Sequence, residues 1–460
     1  MRPKSLLVLA VVVGALLALI YFAEDKVAST DERVAAAKRL VDAKPEELVA
    51  LEFEWQGNRV RFERAAAARE PGVQRPWRLV APIAQPADDA AVGRLVTALT
   101  DLEVARDLAD AARADVGLEP PRGTVTWKTA AGEGRLEIGG AVPATRDVVV
   151  AASGRRALAV TGDGFLADLG RPAGEWRSRE VVTASRDRFE RIAISGPAGA
   201  QPVVLARSGE TLRLESPTVD FVDRDLADRL LTDLAGLRME SFVDPPLPPE
   251  DERALGERVG LFEVTLAGEA APLSIEVGGE TPAGKRLWRA GGQAFASSSA
   301  LAAIVSRSVN DWRSRNWTRF ENWRIEKARI EEAGGSFELV RSEGEWLRDG
   351  QKIPFTVASD LLFALTSAKA ERLVEGAAPP APPARLTVIL SDADGNEERL
   401  TLFAAAAGAT AVPARTAGRE LTLLLARTEV DELEAKIAAV RSALPEADAA
   451  PAPEPSAPKP

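Results

Sequence analysis

The 460-residue chain contains neither histidine nor cysteine, and its only tyrosine is Tyr21. The two zeros exclude Ser-His-Asp and Cys-His nucleophiles, an imidazole general base, a thiolate and any zinc site built on His or Cys. They exclude disulfides as well. Tyr21 lies in an apolar N-terminal run, where a phenol has no catalytic surroundings. Asp, Glu, Lys, Ser, Thr and Arg remain for chemistry, so the sequence names no reaction. No cofactor or metal motif is present. Gly139-Gly140 and Gly278-Gly279 lack the G-x-G-x-x-G spacing and the lysine of a phosphate loop, and read as turns after strands. The net charge of −11, from 58 basic and 69 acidic residues, argues against nucleic acid as a partner.

What is present begins with Leu6 to Ala23, 18 residues that are almost wholly apolar and carry no charge. As a helix this run is about 27 Å long, enough to cross a ~30 Å hydrocarbon layer. Arg2 and Lys4 precede it and Glu24 and Asp25 follow. The positive-inside bias then puts residues 1–5 in the cytoplasm and the bulk outside, as a single-pass membrane protein. The run reads as a retained signal anchor. Cleavage needs small residues at −3 and −1, but Tyr21-Phe22-Ala23 has the wrong −3 residue and Val27-Ala28-Ser29 is only permissive. Lipoprotein acylation is excluded, because it needs cysteine. Residues 24–44 read as a short helical stalk, with Ser29 and Glu32 as its capping box.

The remainder repeats. Glu175-Trp176-Arg177-Ser178-Arg179 matches Asp311-Trp312-Arg313-Ser314-Arg315 at an offset of 136, and Ile138–Pro143 matches Val277–Pro282 at 139. Val116-Gly117-Leu118 matches Val259-Gly260-Leu261 at 143. A third, diverged copy follows. Each copy opens with a strand and a hairpin-like pair ending in a proline, in which Trp77, Leu212 and Trp346 are equivalent. A helix comes next, with apolar faces Val92/Leu95/Val96/Leu99/Leu102, Leu226/Leu230/Leu234/Leu237 and Val357/Leu361/Leu365. Asp88 and Asp220 stand where a carboxylate favours the helix start. Proline-marked connectors follow (Pro120-Pro121, Asp244–Pro249, Pro379–Pro383), then four short strands and a closing helix. The last of these closing helices opens on Thr428 and Asp431. The expected fold is α+β: a transmembrane helix, then three related extracytoplasmic units of antiparallel strands with two helices each, over 45–183, 184–318 and 319–442. Residues 443–460 are Pro/Ala-rich and expected to be disordered.

A W-x-L-x-x-P element (Trp77, Leu79, Pro82), an Asp-led helix (Asp88), a V-G-L turn and a late W-R-S-R in a membrane-anchored chain resemble the bacterial domain-of-unknown-function family 4340. The resemblance covers residues 45–320 well and 321–442 less completely, since the third copy lacks W-R-S-R and G-G-x-x-P. Members are often encoded beside gliding-motility-type ABC transporter subunits. The resemblance therefore implies an envelope accessory protein whose partners are an inner-membrane complex, ABC transporter subunits among them. It brings no catalytic residues.

Two groups of residues are candidates for more than packing. Arg177, Arg179, Arg313 and Arg315 of the W-R-S-R motifs can present guanidinium forks to a phosphate, a lipid headgroup or an acidic partner. The favoured alternative has the tryptophan plugging a core end while the arginines pair with local carboxylates. Trp312, Trp317 and Trp323 crowd the junction of the second and third copies, as a partner contact or, preferably, as a buried inter-repeat seam. Ser391–Glu398 suggests a calcium loop only superficially. Glycine is missing at position six and a carboxylate at twelve, so it reads as a hairpin turn on Asp394-Gly395-Asn396. Asp220, Asp223, Asp225 and Asp228 are acidic enough for a weak cation site, but read by default as a solvated helix face. The expected function is a non-enzymatic scaffold or accessory of a transporter complex. The alternatives are an extracytoplasmic lipid or glycolipid carrier, which calls for a dry apolar cavity in one unit, and a carboxylate hydrolase, which calls for two facing carboxyls in an open cleft.

Overall fold

The computed structural model describes residues 38–65, 75–197, 201–375 and 384–443. The apolar run 6–23, most of the stalk and nearly all of the tail lie outside these residues. Among the described residues, no helix is long and apolar enough to cross a membrane.

Alternation of apolar and polar residues drives the architecture. In Ala50–Trp55, Leu51, Phe53 and Trp55 are buried while Glu52 and Glu54 face the other way. Period-two patterning of this kind builds a sheet with one core face and one solvated face. The solvated face carries cross-strand ion pairs such as Arg59–Glu52 at 2.6 Å. In the first unit the strands are β1 (Ala50–Trp55), β2 (Asn58–Arg64), β3 (Trp77–Ala81), β4 (Gln85–Pro86), β5 (Arg106–Leu108), β6 (Gly123–Thr129), β7 (Gly132–Ala141), β8 (Asp147–Ala152) and β9 (Leu158–Gly162). They form one antiparallel sheet in the order β4-β3-β2-β1-β6-β7-β8-β9-β5. The second and third units repeat this order, so the described residues hold three nine-stranded sheets of one topology.

The helix between β4 and β5 must pass from one sheet edge to the other, and so crosses the core face. These crossing helices are α1 (Asp89–Thr100), α2 (Arg224–Ala235) and α3 (Phe355–Ser367). On α1, Val92, Leu95, Val96 and Leu99 are buried at 3.6-residue spacing. Each such side chain contributes about 1.5–3 kcal/mol through burial. Asp88 caps α1, accepting the Ala91 N–H at 2.9 Å. The corresponding cap of α2 is Asp223, which accepts the Leu226 N–H at 3.0 Å, and not Asp220.

Several other expectations need correction. The closing helix is a single four-residue turn in the first two units (Leu166–Leu169 and Leu301–Ile304) and is long only in the third, as α4 (Arg427–Ser442). No side chain caps α4, so Thr428 and Asp431 form no capping box. The Asp244–Pro249 connector leads directly into a helix, Pro249–Gly256, with proline at its first position, where the missing N–H costs nothing. The glycine pairs lie inside strands rather than in turns. A Cβ on Gly139 would stand 2.5 Å from the Val116 carbonyl oxygen, and one on Gly278 would stand 2.9 Å from that of Ala254. The register shifts at both pairs, so they are bulges that admit a crossing backbone. The V-G-L match is not an equivalence. Gly123 and Gly260 occupy the same sheet position, facing Ile138 and Val277, whereas Gly117 lies in a turn before its strand. The described end of the stalk, from Arg39 to Lys44, is not helical. Leu40 donates to the Leu102 carbonyl and Val104 to that of Lys38, which draws the segment out as an extra strand beside the loop after α1.

The described residues divide into two compact bodies, one up to Arg179 and one from Glu180 onward. The first contains one sheet and the second contains two.

Candidate functional site

In the first body the W-R-S-R segment closes its own sheet. Asp88 N–H donates to the Trp176 carbonyl at 2.8 Å, and Ser178 N–H to that of Pro86 at 2.9 Å, extending the β4 edge by one short strand. Trp176 is fully buried, edge-on to Phe62 and Phe53 at centroid distances of 5.4 and 6.1 Å. Arg177 is buried and donates through Nε to Gln85 Oε1, while Arg179 is exposed.

The second body shows what such a segment does between two sheets. Asp223 N–H donates to the Trp312 carbonyl and Ser314 N–H to that of Phe221, each at 2.8 Å. On its other side, Trp317 N–H donates to the Ala368 carbonyl at 3.0 Å and Ala370 N–H to that of Arg315 at 2.7 Å. One extended segment is therefore shared by the edges of two sheets. Both tryptophans are fully buried in separate cores, Trp312 in that of the second unit and Trp317 in that of the third. Among the described residues, the indole N–H groups of Trp176 and Trp312 meet no acceptor, so these side chains act through volume. Trp323 is not buried in the seam. It is 70% exposed.

Beside the shared strand lies a buried charge cluster. Asp220, 1% exposed, receives a bidentate contact from Arg419, with Nε to Oδ1 at 2.7 Å and Nη2 to Oδ2 at 3.2 Å. Arg313 Nε lies 3.3 Å from Oδ2 without hydrogen-bond alignment, an ion contact only. Arg419 also donates to the Ser314 and Asn316 carbonyls at 2.8 and 3.3 Å. Arg313 pairs with Glu375 and donates to Asn310 Oδ1 at 2.8 Å. Asp220 belongs to the second unit, Arg419 and Glu375 to the third, and Arg313 to the strand between them. Nearby, Glu398 is 3% exposed; its Oε2 accepts the Thr318 hydroxyl and the Arg319 N–H. Burial raises its carboxyl pKa above the ordinary value, against the partial opposition of those bonds.

Of the predicted site residues, the structure brings Arg313 into this cluster. Arg315 is exposed and donates to the Glu371 carbonyl at 3.3 Å. The acidic helix face is divided: Asp220 is sequestered, Asp223 caps α2 and Asp228 pairs with Arg186 at 3.1 Å. Ser391–Glu398 is a hairpin, with Asp392 accepting the Asp394 and Asn396 N–H groups. No group of metal-ligating side chains occurs among the described residues. Arg419 and the burial of Asp220 were missed. The spacing of Pro82 to Asp88 and of Pro217 to Asp223 is six residues in each copy, a signal that marks Asp223 as the cap and leaves Asp220 to be explained.

Outside the cluster, an open cleft of about 580 Å³ runs along the same seam, walled by α2, the start of the third unit and α3. Trp323 and Phe363, 70% and 64% exposed, belong to its lining.

The family described as a domain of unknown function (DUF4340) matches the chain twice, over residues 77–256 and 254–387. Each match runs across the boundary between two nine-stranded units. No curated protein and no solved structure matches the chain.

Proposed function

The chain belongs to the family described as a domain of unknown function (DUF4340), and from this starting point we propose a non-enzymatic, single-pass envelope protein that serves as a scaffold or accessory of an ABC-transporter-type membrane complex. The observation that carries the reading is the fate of the W-R-S-R motif. Its tryptophans fill cores, and Arg177 and Arg313 are buried against neighbouring polar side chains rather than turned outward to a substrate. A motif spent on joining strands suits a protein whose task is to hold units in order. The open cleft offers little support for a carboxylate pair. Asp223, Asp228, Glu321 and Glu210 are engaged by the Leu226 N–H, Arg186, Arg224 and Arg324 respectively. The carrier reading calls for an enclosed apolar cavity, whereas charges of both signs line the cleft. The anchor at 6–23 supplies the attachment.

The test is affinity purification of the tagged full-length chain from gently solubilised membranes. Transporter subunits are expected among the recovered proteins. Their consistent absence, with the chain itself intact, refutes the accessory role. Sequencing the mature N-terminus checks the anchor, since a start after Ala23 or Ser29 means a cleaved leader.

A further inference from the structure

We propose that the seam cleft of the second body binds a short, uncharged oligosaccharide, with sugar rings stacked on Trp323 and Phe363. The inference does not depend on the scaffold role. Its volume of about 580 Å³ lies within the ~300–1,000 Å³ typical of small-ligand sites, and its lining decides the ligand class.

The aliphatic members of the wall, Leu212, Val222 and Leu231, are buried, so the cleft presents no continuous aliphatic strip to an amphipathic helix or an acyl chain. What it turns outward is aromatic. Trp323 and Phe363 are the two most exposed large apolar side chains among the described residues, and both face this one cleft. The Arg324 guanidinium lies 5.8 Å from the Trp323 ring centroid and steadies it. Phe221, by contrast, already has Arg213, Arg319 and Arg419 within 5.7 Å of its centroid and offers no free face.

Charge argues against an anion. The cations of the lining are balanced by carboxylates, and Arg224 and Arg319 are paired with Glu321 and Glu398. A phosphate or an acidic peptide would also meet Asp225. The polar groups left over are of mixed character. Among the described residues, the side chains of Asn316, Asn322, Asp225 and Lys369 have no hydrogen-bond or ion-pair partner, and all four line the cleft. Two amides, a carboxylate and an ammonium supply donors and acceptors together. A sugar ring has an apolar C–H face and a rim of hydroxyls that both donate and accept. It is the ligand whose two surfaces match exposed rings beside such groups.

The experiment uses the full-length protein in a detergent without a sugar headgroup. It is titrated with maltopentaose, cellopentaose and tetra-N-acetylchitotetraose by calorimetry and tryptophan fluorescence, with inorganic phosphate and a synthetic amphipathic helix as competing probes. Saturable binding of at least one oligosaccharide is expected. Trp323→Ala and Asn316→Ala should each weaken it about tenfold or more, while both variants keep the wild-type unfolding midpoint. No saturable binding of any of the three up to about 10 mM, undiminished binding in Trp323→Ala, or tighter binding of phosphate or the helix overturns the proposal.

Discussion

Replacing Asp220 by alanine leaves the Arg313 and Arg419 guanidiniums buried, with side-chain exposures of 3% and 0%, and without the carboxylate they share. Arg419 keeps two carbonyl acceptors and Arg313 keeps Asn310 and Glu375, but Glu375 is 64% exposed and cannot replace a buried counter-charge. Removing one partner of a buried ion pair costs about 3–5 kcal/mol, because the remaining charge stays desolvated. For a cooperative unit of this size each kcal/mol moves the midpoint by about 2–4 °C, so the expected fall is about 6–20 °C. Asp220→Asn keeps an acceptor for the Phe221 N–H and loses the charge alone. It should show most of the effect. Arg191→Ala, which breaks the half-exposed pair with Glu215, is the control and should cost at most about 1 kcal/mol. Thermal and urea unfolding of the full chain give the magnitude, and hydrogen exchange should place the loosening at Arg313–Trp317. Asp220→Ala combined with Arg419→Met should cost less than the sum of the single changes. A single-variant loss no larger than the control, or strict additivity in the double variant, refutes the argument that this cluster clamps the two units.

Glu398 binds its proton more tightly in the native chain than an ordinary glutamate does, so native stability falls as pH rises from the ordinary value through the raised one. Glu398→Gln should therefore match wild type near pH ~4 and gain on it progressively toward pH ~7, in midpoints measured across that range; a constant difference contradicts the assignment. Gly139→Ala places a Cβ 2.5 Å from the Val116 oxygen and should lose about 1–3 kcal/mol in urea unfolding. Gly93→Ala, in α1 with nothing within 4 Å of the added carbon, should gain about 0.5–1 kcal/mol.

The order of elements was legible because it rests on local periodicity. Alternation in Leu48–Trp55 and the four-residue steps of Val92, Leu95 and Leu99 need no tertiary knowledge. The edge strands β4 and β5, with two and three residues, carry too little pattern to be seen. They exist because the crossing helix delivers the chain to each sheet edge. The glycine pairs were misplaced for a related reason: a glycine required by a crossing backbone looks in sequence like a glycine required by a turn. The favoured alternative for the W-R-S-R motif put its tryptophan in a core end and its arginines against local carboxylates; it did not foresee that Arg177 and Arg313 are themselves buried, with Gln85 and the distant Asp220 and Glu375 as partners. It could not supply Arg419, 199 residues from Asp220, because no local pattern links two side chains that meet only across a seam.

The divergence of the third unit follows from the strand exchange that the other two share. Every unit takes an incoming segment at the loop after its crossing helix: Leu40 donates to Leu102, Val181 to Leu237 and Trp317 to Ala368. In the first two units the chain later returns, and the N–H of the helix-capping Asp88 or Asp223 holds the carbonyl of Trp176 or Trp312. The position equivalent to those aspartates is Pro354, which has no N–H to give. The third edge, Gln351–Lys352, thus lacks the donor that receives a W-R-S-R strand, and the third unit lacks W-R-S-R. Its chain continues instead into α4, which packs on α3, while Arg348 donates to the Val440, Arg441 and Ala443 carbonyls at the α4 C-terminus. The first two units thus receive a W-R-S-R strand at this edge, and the third instead packs a long helix on its crossing helix. On this argument the missing motif in the third unit and its long helix go together: where the first two units seat Trp176 and Trp312 in their cores, the third seats Val430, Leu433, Ile437 and Val440 of α4.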